Sequence, residues 1–227
     1  MNGVITIDNF GELPKLMHLE EGRYYKFFLV IRKKDVPNGV HPLITTKSQE
    51  NIIRFWLVDD EERFYRKQIF EMQFLLQAVP YSRLYMVLDP KSNKRTLQTM
   101  RGKLDGLIDQ AMFDGNVNCR FLNRIVTSST SAPESSDKGG RKYLIDVDTK
   151  DAVELEDCKT QLDEIGAKYV VIPSKNGYHI ICDRDFDMTR FCGNANVTIK
   201  KDAACLIAMS EEEEEVEDDI FGSAKKN

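Results

Sequence analysis

The chain has 227 residues, of which 41% are apolar and 30% charged, proportions typical of a globular protein with a sizeable core. No stretch approaches the roughly 18 apolar residues of a membrane-spanning helix, so we expect no membrane contact. The five cysteines are odd in number and form no CxxC pair. This argues against a zinc knuckle or a disulfide framework and favours a cytoplasmic protein.

The net charge of −5 is unevenly distributed along the chain. Residues 210–227 hold eight acids and two lysines, whereas the other 209 residues hold 30 basic and 29 acidic side chains. A nearly neutral body therefore carries an acidic tail, which we expect to be disordered because it is so poor in apolar residues. The overall acidity does not exclude nucleic acid as a partner.

Residues 1–126 are predicted to form an N-terminal α/β unit. Aromatic and β-branched runs predict its strands, while acids in a first turn, a terminal proline and a capping serine predict its helices. In chain order the predicted elements are strands at 23–32 and 52–58, a helix at about 59–78, a strand at 83–88 and a helix at about 92–113.

A stretch rich in Ser, Thr, Gly and Pro, residues 127–141, predicts a flexible connection to a second unit at 142–209. The predicted elements of this unit are a strand at 142–147, a helix at 151–165, a strand at 168–172, a turn at 173–177, a strand at 178–182, a short helix at 187–191 and final strands within 196–209. This order is that of a ferredoxin-like sheet. The sequence therefore predicts an α+β protein, with an N-terminal α/β unit joined to a C-terminal RRM-like β-α-β-β unit and a disordered acidic tail at 210–227.

Two aspartates lie two residues apart on the first strand of the second unit. Asp146 and Asp148 point to one face because side chains alternate along a strand, while Ile145 and Val147 point to the other. Neighbouring carboxylates repel each other unless a cation lies between them, and oxygen ligands select Mg²⁺ or Mn²⁺. The pair indicates a metal site, and acids at a strand end that only face water are the alternative.

A second polar group lies in the predicted turn at 173–177. Ser174 and Lys175 belong to this turn, which delivers His179 onto an apolar strand. Such donors can hold a phosphate or an oxyanion, whereas the alternative is a core histidine that bonds to the backbone. If the helix covers one face of the sheet, Asp146, Asp148 and His179 share the other face and compose a metal–phosphate site.

These motifs resemble those of the archaeo-eukaryotic primase superfamily, which includes the primase-polymerases. The family pattern is an hDhD strand, an SxxGxH turn and a further acid on a strand. The chain offers residues 145–148, residues 174–179 and Asp202 for these three positions. The resemblance implies a nucleotidyltransferase that uses nucleoside triphosphates and a single-stranded template. It also implies catalytic Asp146 and Asp148, with Asp202 as a third ligand of Mg²⁺ or Mn²⁺.

The resemblance further implies that His179 contacts the triphosphate, and Ser174 and Lys175 would add donors beside it. Small proteins of this family are common in viral genomes, so a viral chain of this kind would act in the host cytoplasm.

The N-terminal unit offers basic side chains that could track a nucleic-acid backbone, namely Arg32, Lys33, Lys34 and Arg83. An ordinary solvated surface is the alternative for most of them. The tail at 211–221 resembles the acidic tails with which single-stranded-DNA-binding proteins dock a protein partner, and a purely solubilising end is the alternative.

Two other functions remain open from the sequence. The same acids and histidine suit a metal-dependent nuclease, in which water is the nucleophile. A catalytically degenerate primase-like protein that binds single strands or a protein partner would show nearly the same motifs.

Overall fold

A computed structural model describes residues 3–37, 41–44, 49–114, 120–137, 139–183 and 196–213. The protein is an α+β fold with two antiparallel sheets, as predicted. The strands are β1 (Gly3–Asp8), β2 (Arg23–Arg32), β3 (Glu50–Val58), β4 (Ser82–Val87), β5 (Lys91–Ser92), β6 (Lys142–Val147), β7 (Tyr169–Pro173), β8 (Tyr178–Asp183), β9 (Val197–Lys201) and β10 (Ala204–Glu212). The helices are α1 (Leu13–Leu16), α2 (Glu61–Arg63), α3 (Ile69–Ala78), α4 (Asn93–Asp114), α5 (Arg120–Ser131) and α6 (Ala152–Glu164), and a π-helical turn joins α2 to α3.

The first sheet has the strand order β1-β10-β4-β2-β3. Because side chains alternate along β2, Phe27 and Leu29 point to one face, where they share a core with Phe64 and Met72 of the α2–α3 segment. The three strands predicted in this half are confirmed, and β2 has the predicted bounds. The predicted helix at 59–78 is also confirmed, and its N-cap is Asp60, whose Oδ1 accepts the backbone N–H of Arg63 at 2.6 Å.

The second sheet has the strand order β7-β8-β6-β9, in which the first and third strands of the unit are central, as in a ferredoxin-like sheet. Its helix, α6, covers one face, where Ile145 and Val147 pack with Cys158 and Leu162. Gly166 follows the helix with a φ of +70°, the left-handed conformation that ends helices. The short helix predicted at 187–191 lies outside the described residues.

The last strand does not belong to the second unit, in contrast to the predicted boundary at 209. β10 lies between β1 and β4 in the first sheet, so the chain returns to its N-terminal half. The sequence does not predict β1, because Gly3 is the only buried residue of this edge strand and no buried apolar alternation marks it. Residues 210–212, predicted as the start of the tail, complete β10, and the tail from 214 onward lies outside the described residues.

The stretch predicted as a flexible connection, 127–141, is largely structured. Helix α5 runs to Ser131, and Ser129 and Ser135 are fully buried. Hydroxyls of this stretch accept hydrogen bonds from the buried ammonium groups of Lys26 and Lys91, which explains a Ser-rich composition without flexibility. The second sheet also adds three side chains to the core of the first, namely Leu144, Ile172 and Ile181. None of the helices in the described part of the chain combines the length and apolar character needed to cross a membrane.

Candidate functional site

A cleft of about 500 Å³ lies between the two sheets, a size within the range of ligand sites. The residues that line it are largely polar, and basic side chains outnumber acidic ones. The basic residues are Arg32, Lys34, Arg83, Lys175, Lys200 and Lys201, and the acids are Asp146 and Asp148. His179, Ser174 and Tyr85 also line the cleft. The structure therefore brings together most of the residues singled out from the sequence, with a balance of four positive charges.

Asp146 is the buried member of the acidic pair. It is 9% exposed, whereas Asp148 follows the end of β6 and is exposed at the cleft mouth. A hydrogen bond from His179 lowers the pKa of Asp146, burial raises it, and the ammonium of Lys200 lowers it further, to about 2. The carboxylate is therefore ionised at any physiological pH and is held between two donors.

His179 lies deep in the cleft, with 8% of its surface exposed. Its Nδ1 accepts the backbone N–H of Leu206 on β10 at 3.3 Å, so the proton of the neutral ring is on Nε2. Nε2 is 3.4 Å from Oδ1 of Asp146, and the histidine thus links the first sheet to the acid on the second. Its bond to the backbone resembles that of a core histidine, although the backbone group is a donor and not a carbonyl.

The β7–β8 hairpin holds His179 next to β6 because Gly177 has no side chain. A Cβ at this position would lie 2.0 Å from the carbonyl oxygen of Val147 and 2.4 Å from that of Thr149. Its φ is not in the left-handed region, so close backbone approach is the reason for glycine here. The turn predicted at 173–177 is a four-residue loop, closed by a 2.9 Å hydrogen bond from the N–H of Ser174 to the carbonyl oxygen of Gly177.

Asp35 is a site residue that the sequence analysis missed. It follows β2, its side chain is 2% exposed, and it forms ion pairs with Arg83 and, at 3.0 Å, with Lys175. Burial raises its pKa, but the hydrogen bonds and charges of Lys175 and Arg83 lower it by more. Asp35 directly follows the basic run Arg32–Lys34, but only the fold shows that its single carboxylate lies between Arg83 and Lys175 and offsets part of their charge.

Two predicted positions, Asp202 and Lys33, differ from expectation. Asp202 lies in the turn after β9, at a φ of +51°, and is not among the residues lining the cleft. Lys201 pairs with Tyr143 whereas Thr198 pairs with Asp146, so Lys201 already lies about 10 Å along β6 from Asp146, and Asp202 follows it. The residue that reaches Asp146 from β9 is Lys200. Lys33 does not line the cleft either, in contrast to Lys34.

The carboxylates of the cleft are too few to coordinate a divalent cation without other ligands. The described residues contain no group of three His, Cys, Asp or Glu side chains able to hold a metal. However, Mg²⁺ in nucleotide sites is commonly bound by one or two carboxylates together with substrate phosphates and water. Asp146 and Asp148 fit this second arrangement, in which protein and triphosphate share the ion.

Comparison of the chain with protein-family models, with curated proteins and with solved structures found no match. The site is therefore assigned from its own geometry and chemistry.

Proposed function

We propose that the protein is a metal-dependent nucleotidyltransferase of the primase-polymerase kind, which binds a nucleoside triphosphate in the cleft between its sheets. The observation that supports it is the set of charged side chains that line that cleft. Two carboxylates lie at the end of one strand, and six basic side chains from both sheets surround them. Anionic phosphates and a shared cation together match this arrangement.

Each side chain has a part in this proposal. Lys175 and Ser174 are partly exposed at the hairpin, and they hold the triphosphate together with Lys34 and Lys201. His179, at the base of the cleft, directs its Nε2–H to Asp146 and so holds that carboxylate in position beside the triphosphate. Asp146 and Asp148 would hold Mg²⁺ or Mn²⁺, which when bound lowers the pKa of an attacking 3′-hydroxyl and offsets charge on the transferred phosphoryl group.

The template strand is proposed to follow Arg32 and Arg83 on the first sheet. Both guanidinium groups line the cleft, and both donate to the hydroxyl of Tyr85, at 3.4 Å and 3.3 Å. Arginine suits phosphate contacts because its planar donors can form two bonds to one group.

The test is incorporation of labelled ribo- and deoxynucleoside triphosphates on a single-stranded DNA template with Mn²⁺. We expect product from the wild type and a loss of at least about 100-fold in Asp146→Asn/Asp148→Asn, since the phosphoryl charge is no longer offset. Asp151→Asn is the matched control. It removes an acid three residues away, yet asparagine keeps the N-cap that Asp151 gives α6. Equal activity of the double variant and the wild type would contradict the proposal.

A second candidate function is binding of phosphorylated ligands without catalysis. The contact of Lys200 with Asp146 favours it, because an ammonium there already neutralises the acid that would hold a cation. Calorimetric titration with a nonhydrolysable triphosphate separates the two functions. Tight binding that is independent of Mg²⁺, with no incorporation by the wild type, would favour the binding role.

A further inference from the structure

A row of aromatic side chains crosses three neighbouring strands of the first sheet. Phe28 on β2 pairs directly with Phe55 on β3 and with Tyr85 on β4. Directly paired residues project from the same face of a sheet, so the three rings form one continuous row, which we name the aromatic row. The rings of Phe28 and Tyr85 are stacked, with centroids 5.5 Å apart and planes at 22°.

The aromatic row lies on the face of the sheet that is opposite to the α2–α3 helices. All three rings are partly exposed, whereas their chain neighbours Phe27 and Trp56 are buried. None of the three belongs to either hydrophobic core of the described residues. Stacked aromatic pairs do stabilise sheets, but that role does not require surrounding charges of one sign.

The charged groups next to the row are cations. The hydroxyl of Tyr85 accepts from Arg32 and Arg83, the two arginines of the cleft, at one end of the row. At the other end, Nζ of Lys26 lies 5.0 Å from the centroid of the Phe55 ring. The aromatic row is therefore continuous with the basic cleft, and positive charge lies at both of its ends.

We propose that the aromatic row stacks the unpaired bases of a single-stranded nucleic acid whose backbone follows Arg32 and Arg83 into the cleft. Proteins that bind single strands combine a basic groove with aromatic rings on which successive bases stack. Three rings at the strand spacing of about 4.8 Å match two or three bases, as on the sheets of RNA-binding domains. The role of that strand as template rests on the proposed function, whereas its binding does not.

The test measures fluorescence anisotropy of a labelled twelve-nucleotide oligo-dT with the full chain. Phe28→Leu and Phe55→Leu remove a ring each, keep apolar bulk and leave every cleft side chain in place. We expect each to weaken binding about tenfold, because stacking on a ring accounts for roughly this factor per base. Phe70→Leu and Phe74→Leu are matched controls, since these phenylalanines are 66% and 67% exposed on α3, behind the sheet. Urea denaturation confirms that each variant is folded.

A second probe tests the wild type without any substitution. An oligonucleotide with three central abasic sites keeps its phosphates, and we expect it to bind at least about tenfold more weakly than oligo-dT. In Phe28→Leu/Phe55→Leu this difference should largely disappear, because there is less aromatic surface for the bases. Equal binding of the two oligonucleotides by the wild type, or unchanged binding by the ring variants, would overturn the inference.

The outcome is separable from that of the proposed function. Ring-dependent binding with no incorporation would support the aromatic row and contradict the nucleotidyltransferase. Incorporation by a protein whose strand binding does not depend on the rings would overturn the aromatic row alone.

Discussion

Two groups of buried charge lie on the same face of the first sheet and are neutralised in different ways. At the cleft, Arg83 is 8% exposed on its side chain, and Asp35, 2% exposed, lies between it and Lys175. Near α5, Lys26 and Lys91 are each 3% exposed, and the acceptors for both are mainly hydroxyls. Among the described residues, neither of these lysines forms a salt bridge. The first group places permanent charges at a site that is open to ligands. The second anchors helix α5 to the sheet, but its two ammonium groups lose their contact with water.

The difference appears in the pKa values of the two groups. The cations beside Asp35 keep its pKa below the ordinary value despite burial. Burial, with a smaller effect from the charge of Lys91, lowers the pKa of Lys26 to about 8. Asp35 therefore stays ionised across the physiological range, while Lys26, under α5, is close to titrating.

The largest expected effect comes from removing the acid of the cleft group. Asp35→Asn leaves Arg83 buried without a counter-charge, and we expect the free energy of unfolding to fall by about 3–5 kcal/mol. Urea denaturation at pH 7 measures it. The control is Glu62→Gln, which breaks the ion pair with Arg66 at 2.7 Å, where both side chains are at least 75% exposed. That change should be below about 1 kcal/mol. Equal losses in the two variants would show that Asp35 does not stabilise the fold through its buried pair.

In the second group, removing a charge should increase the free energy of unfolding. Lys26→Met removes a buried cation whose ordinary pKa is 10.5, and the downward shift corresponds to at most about 3 kcal/mol of destabilisation at pH 7. The variant should therefore be more stable by up to this amount. Thr130 and Ser131 keep their bonds to the carbonyl oxygen of Thr127, so no hydroxyl is left without a partner. Thermal denaturation measures the stability of Lys26→Met. Lys15→Met is the control, because the side chain of Lys15 is 63% exposed and its removal should change stability little.

The pH dependence tests the same lysine independently. Between pH 8 and 10.5 the unfolded chain binds the proton of Lys26 and the folded chain does not, so this group makes stability rise with pH in that window. Below pH 8 both states are protonated, and the full destabilisation is present. The difference in stability between Lys26→Met and the wild type should shrink steadily from pH 8 to 10. A constant difference would show that the charge of Lys26 is not its origin.

The sequence predicted what depends on local pattern and missed what depends on the path of the chain. The alternation around Asp146 and Asp148 and the turn before His179 gave the acidic pair, the hairpin and their common cleft. The acid Asp202 matched a motif in sequence, but a turn after β9 carries it away and leaves Lys200 beside Asp146. The pairing of β10 with β4 joins residues more than a hundred positions apart, and no local periodicity encodes it.

The uncharged side chain of Asn9 also connects the two sheets, and its removal should change the free energy of unfolding the least. Asn9 is 2% exposed, and its Nδ2 donates to the carbonyl oxygens of Pro173 at 3.1 Å and Leu206 at 3.0 Å, so it ties the β7–β8 hairpin to β10. Asn9→Ala leaves these two acceptors without that donor and should cost about 2 kcal/mol.

Because Asn9 carries no charge, the effect of Asn9→Ala on stability should be the same at pH 6 and pH 9, whereas the effect of Lys26→Met should change with pH. Asn9→Ala should also weaken triphosphate binding. The backbone N–H of Leu206 sets the tautomer of His179, and Asn9 holds the carbonyl group of Leu206 in place. Thr6→Ala is the control, because its hydroxyl bonds to the oxygen of Met209 on the same strand pair at 3.5 Å. Asn9→Ala with unchanged stability and unchanged triphosphate binding would show that the two sheets are held together by their shared core and charges without this bridge.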